Sequence, residues 1–142
     1  GRIIAIDYGL KRCGVAVTDD AQVFAFGHDT ISTHRLFEFI DNYQKTASVS
    51  ALLVGMPMRL HNQPSEMTAH VAHFITECKS RFPDLKHYTY DERFTSKMAA
   101  QSIANSGLRR KSRSDKSLVD KVSATLLLQS FLAAQNHNYD TT

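Results

Sequence analysis

The run Val49-Ser50-Ala51-Leu52-Leu53-Val54 limits most sharply what this chain can become. It is too short to be a typical helix, and five of its six residues are apolar. A strand with one face in water alternates apolar and polar residues. A continuously apolar strand must therefore be covered on both faces. Strands of that kind belong to α/β sheets with helices lying over both sides. Residues 2–7, which alternate weakly around Ile3, Ile4, Ala5 and Ile6, read as another buried strand.

The rest of the chain is punctuated around these two runs. Residues 2–7, 13–18 and 23–31 predict three strands, joined by the turns Tyr8-Gly9-Leu10-Lys11-Arg12 and Asp19-Asp20 into an antiparallel meander. Ser32 or Thr33 is placed to cap a helix striped by Leu36, Phe37, Ile40 and Tyr43. Residues 49–54 form the fourth strand, ended by Gly55-Met56-Pro57. A helix striped by Met67, Val71, Phe74, Ile75 and Cys78 follows Pro64-Ser65 and is broken by Pro83. Residues 86–90 predict a fifth strand. Thr95 opens a third helix through Ala104, closed by Gly107. Residues 116–136 make the last and longest helix, and 137–142 a frayed tail. The order β-β-β-α-β-α-β-α-α predicts an α/β fold, a mixed five-stranded sheet with helices on both faces. At 142 residues, 42% hydrophobic and 22% charged, the chain suits one globular domain, placed at residues 1–136.

No apolar run is long enough to span a bilayer, and no secretion signal opens the chain, so the expected location is the cytoplasm, without a membrane. Cys13 and Cys78 lie far apart with no metal-ligand spacing and read as reduced thiols.

The net charge of +3 is distributed unevenly. Arg109, Arg110, Lys111, Arg113 and Lys116 fall within eight residues that hold one acid, Asp115, which leaves the remainder of the chain slightly acidic. A single basic patch between two helices suits a polyphosphate partner, although basic runs also serve to solubilise loops. Lys11 and Arg12, flanking the first turn, are further candidates for a phosphate contact.

Three acids fall at places where solvation is not the obvious explanation. Asp7 ends the first strand and Glu92 follows the fifth. If strands one, four and five are parallel, these two ends share the edge where α/β proteins carry their sites. Asp120 lies in the first turn of the last helix, in register with Ala124, Leu127 and Phe131 on its apolar stripe. A carboxylate on a buried face needs a partner. Three acids converging would need a proton or a metal ion between them. An oxygen-only ligand set favours Mg²⁺ or Mn²⁺. Each acid also has an ordinary role open to it: Asp7 can start a turn, Glu92 can pair with Arg93, and Asp120 can complement a helix dipole.

Four segments together resemble one family. Ile4-Ala5-Ile6-Asp7-Tyr8-Gly9-Leu10-Lys11-Arg12-Cys13-Gly14-Val15-Ala16-Val17, Leu53-Val54-Gly55-Met56-Pro57-Met58, Tyr90-Asp91-Glu92-Arg93-Phe94-Thr95-Ser96 and Val119-Asp120-Lys121-Val122-Ser123-Ala124 are similar, in order and spacing, to the motifs of the YqgF/RuvX family. The resemblance implies a ribonuclease H-like fold and a Mg²⁺-dependent (or Mn²⁺-dependent) nuclease. It implies Asp7, Glu92 and Asp120 as the catalytic and metal-binding acids. Lys11, Arg12, Arg93, Arg109, Arg110, Lys111 and Arg113 are then the expected nucleic-acid contacts. Two substrates follow from the family: the 5′ end of precursor 16S ribosomal RNA, or branched DNA at a Holliday junction. A junction resolvase would act as a dimer. The absence of a sustained exposed apolar stripe in the sequence favours a monomer or weak homodimer. A catalytically silent nucleic-acid-binding module stands as the third possibility. A nucleotide-dependent phosphotransferase, suggested by Asp7-Tyr8-Gly9 before a hairpin, would need a second lobe that 142 residues do not supply.

Overall fold

Apolar runs that demand cover on both faces occupy the middle of the sheet. The computed structural model describes residues 1–57, 66–92 and 116–140, and of 116–120 and 136–140 the helical backbone alone. Five strands, β1 (Arg2–Asp7), β2 (Arg12–Thr18), β3 (Ala25–Ser32), β4 (Val49–Met56) and β5 (Lys86–Asp91), lie in the order β3-β2-β1-β4-β5. The meander pairs antiparallel, β1 with β2 and β2 with β3, whereas β1–β4 and β4–β5 are parallel. Three described helices, α1 (Leu36–Thr46), α2 (Thr68–Arg81) and α3 (Lys116–Asp140), pack against the sheet.

Strand alternation divides the interior into two layers. On one face Ile4, Ile6, Val15, Leu52 and Val54 meet Leu36 and Ile40 of α1 and Val71, Phe74 and Cys78 of α2. On the other, Ile3, Ala5, Ala16, Ala51 and Leu53 meet Ala124, Leu127, Leu128, Phe131 and Leu132 of α3. The mixed sheet with helices on both faces is thus the observed architecture.

Element ends depart from expectation where a side chain finds a better partner. Neither Ser32 nor Thr33 caps the first helix; Thr33–Arg35 form a 3₁₀ turn ahead of α1, with no side-chain cap bond. The Thr33 hydroxyl instead donates to the Gly9 carbonyl at 2.6 Å, and its N–H to that of Lys11 at 3.0 Å. β3 starts at Ala25 rather than at residue 23, because the Asp19 carboxylate accepts the N–H groups of Val23 at 2.9 Å and Phe24 at 2.7 Å and holds them in the turn. α3 continues to Asp140, four residues beyond the expected end. The helix expected over residues 95–104 lies outside the described residues.

Candidate active site

Parallel strands release their C-terminal ends on one edge, so β1, β4 and β5 deliver Asp7, Met56 and Asp91 side by side. Asp7 shares its face with Ile3 and Ala5, which pack under α3. On β5, Tyr88 and Tyr90 pack on that same side, and Glu92 comes two residues later. Asp7 and Glu92 are nonetheless carried by strands that do not touch, because β4 lies between them. Two strand spacings amount to about 9.5 Å. The Glu92 side chain crosses this gap over Gly55, and the two carboxyls are joined by a hydrogen bond.

Burial pushes the Asp7 carboxyl well above the usual aspartate range, and the hydrogen bond to Glu92 and the Glu92 charge push it the same way. Two carboxylates in contact cannot both ionise cheaply. Asp7 is therefore held towards its protonated form.

The third acid is placed only by its backbone. Lys121 and Thr125 of α3 lie against Gly27 of β3, while Gln129, Leu132 and Ala133 lie beside residues 23–26, which lead into and begin that strand. The N-terminal turn of α3 is therefore directed towards the edge that carries Asp7. Asp120 is one helical turn ahead of the buried Ala124. Its side chain lies outside the described residues. Among the described residues no group of three His, Cys, Asp or Glu side chains is arranged to hold a metal ion.

The turn between β1 and β2 is tight. A Cβ on Gly9 would collide with the Arg12 carbonyl oxygen, so only glycine fits there. Tyr8 stacks on Phe74 of α2 with ring centroids 4.7 Å apart, and Thr33 ties Gly9 and Lys11 to the end of β3. Lys11 and Arg12, both exposed, are held on this turn beside Asp7. Arg93, Arg109, Arg110, Lys111 and Arg113 lie outside the described residues. Sequence reasoning missed Thr33 as a strut of the site, having read its hydroxyl as a helix cap.

Comparison with known proteins bears on the family and on the fold. Residues 1–134 match the sequence model of the family described as "RuvX: Holliday junction resolvase". A Flavobacterium johnsoniae protein named "Putative pre-16S rRNA nuclease" is 46% identical over 134 residues, covering 94% of this chain and 97% of its own length. A Christiangramia forsetii protein of the same name is 47% identical over 131 residues, covering 92% and 97%. Among solved structures, Thermus thermophilus RuvC in complex with a Holliday junction substrate aligns with a TM-score of 0.55 at 14% identity, over 94% of this chain and 95% of that one. That likeness concerns the fold, which is ribonuclease H-like. Matched over nearly its whole length by the family and by relatives approaching half identity, the chain belongs to the RuvX family of nucleases.

Proposed function

We propose that this chain is a divalent-metal-dependent phosphodiesterase that trims the 5′ end of precursor 16S ribosomal RNA, with Asp7, Glu92 and Asp120 as its acidic centre. The observation that carries this reading is the pair of carboxyls, Asp7 and Glu92, that meet across Gly55 at the C-terminal edge of the parallel strands. Two half-buried carboxyls held in contact are a costly arrangement for stability alone. It is well suited to a hard cation, because all its donor atoms are oxygens. Mg²⁺ or Mn²⁺ held there would supply charge neutralisation at a scissile phosphodiester and acidify a bound water.

The chain's own residues have distinct tasks. Asp7, once ionised, would with Glu92 offer carboxylate oxygens to the cation. Asp120, entering from the first turn of α3, would be the third ligand. Lys11 and Arg12 on the adjoining turn neutralise substrate phosphates, and Arg93, Arg109, Arg110, Lys111 and Arg113 extend that contact along the backbone of the nucleic acid. A single cut in RNA requires one such site, so a monomer or weak homodimer suffices, and the cytoplasm is the compartment of precursor processing. Among the described residues no helix is long and apolar enough to cross a membrane.

The relatives at 46% and 47% identity carry the ribosomal RNA name, which favours RNA. The family description favours the second reading, cleavage of a four-way DNA junction. Purified chain incubated with a precursor 16S transcript and with a four-way junction, each with Mg²⁺ and with EDTA, separates the two. The first reading expects metal-dependent shortening of the transcript, abolished by Asp7→Asn. Cleavage confined to the junction would overturn the RNA assignment, and cleavage in EDTA the metal.

A further inference from the structure

Gly55 is the one small gap in a strand that otherwise fills both layers. On the face of β4 that lies under α3, Ala51 and Leu53 are buried in the core, and Gly55 is the next residue on that face. Glycine weakens a strand interior, and it is found there chiefly where another group approaches closely. No left-handed backbone conformation calls for it at this position. What occupies the space is Glu92. A Cβ built on Gly55 would lie 2.5 Å from Glu92 Oε1, 2.8 Å from its Cγ and 3.0 Å from its Cδ. Register explains the approach. Ile6 pairs with Val54, so Asp7 comes beside Gly55 from one side. Tyr90 pairs with Gly55 from the other, and Glu92 follows two residues on.

From this geometry we infer that Gly55 is a positioning residue of the acidic centre, whose missing side chain is the passage through which Glu92 reaches across β4 to Asp7. The inference rests on the reading of that pair as a cation site, but its steric part stands by itself. Gly55 touches neither substrate nor cation; it acts through Glu92. Any side chain at position 55 would stand between the two carboxyls and turn Glu92 away.

A double-mutant cycle tests this. Gly55→Ala, Glu92→Ala and the double variant are compared by Mn²⁺ titration and by thermal melting in EDTA. Gly55→Ala is expected to weaken Mn²⁺ binding about tenfold or more, as for other groups that orient metal ligands, and to melt below the wild type. In the Glu92→Ala background, where the passage is empty, the same alanine is expected to change neither quantity for the worse. Should Gly55→Ala fail to fold, the double variant should fold, since its clash is gone. Wild-type Mn²⁺ affinity in Gly55→Ala would overturn the inference. So would a melting loss of the same size in both backgrounds, or a double variant that also fails to fold. A wild-type chain that binds no Mn²⁺ would refute the cation site, and the EDTA melts would then decide the role of Gly55 independently.

Discussion

Asp7 ends a strand of apolar residues, and its carboxyl is raised first by burial, then by its hydrogen bond to Glu92 and by the Glu92 charge. A carboxyl raised in the native state binds its proton more tightly there than in the unfolded chain. Its stabilising contribution is complete below the ordinary aspartate value of 3.8 and is lost as the pH climbs through the native value. Asp7→Asn carries a neutral group at every pH. In EDTA it should melt with the wild type below pH 3.8 and increasingly above it as the pH rises, in a series of melts across pH. Parallel curves would mean that Asp7 is not the protonated partner. A second residue shows burial acting on a thiol. Cys78 is pushed up to about 12, mainly by burial and secondarily by the Glu77 charge. Only the thiolate is an effective nucleophile. With Cys13 also buried and in no disulfide, the native chain should resist iodoacetamide at pH 8 and take up two labels only once unfolded, as counted by mass spectrometry.

At the scale of elements, the β1–β2 turn is held from outside by the start of the segment that leads into α1. Thr33→Val keeps the shape and removes the hydroxyl that donates to Gly9. The expected cost is about 1 kcal/mol in urea unfolding, the usual net worth of such a bond. RNA affinity should fall as well, because Lys11 and Arg12 ride on the turn. An unchanged unfolding midpoint would show the strut to be idle. The basic run before α3 makes its own prediction from charge alone. Replacing Arg109, Arg110, Lys111 and Arg113 by alanine should reduce the slope of log affinity against log salt by roughly three, at about 0.7–0.9 per lost phosphate contact. Sequence preference should scarcely move, since phosphate contacts carry no base information. An unchanged slope would place the phosphate contacts elsewhere.

Across the whole molecule, the acidic pair lies at the rim of two cores, one under α1 and α2 and one under α3. Its carboxyls are brought together by folding, so a cation that binds them binds the native state alone. Mg²⁺ should then raise the unfolding free energy by about 2.7 kcal/mol at a hundred times its dissociation constant, and Asp7→Asn should remove most of that gain. Melting temperature followed against Mg²⁺ concentration reads this directly. A shift equal in wild type and variant would locate the cation away from Asp7.

The apolar runs at residues 3–6 and 51–54 were sufficient to dictate a sheet buried on both faces, because a continuously apolar strand has no face to offer water. The meander, the parallel strands and the common edge of Asp7 and Glu92 follow from element order, and helical periodicity alone put Asp120 in register with Ala124 and Leu127. Motif order was enough to mark the family. Other features depended on competition in space. Whether Thr33 caps a helix or pins a turn depended on which carbonyl lay nearer, and Asp19 decided where β3 begins by claiming two N–H groups. The meeting of Asp7 with Glu92 is tertiary in the same sense. It requires β4 to be the strand between them, the register that sets Gly55 opposite Tyr90, and an empty volume above that glycine. Periodicity can assign a residue to a face of its own strand, but whether a side chain can pass over a neighbouring strand depends on what that strand leaves vacant.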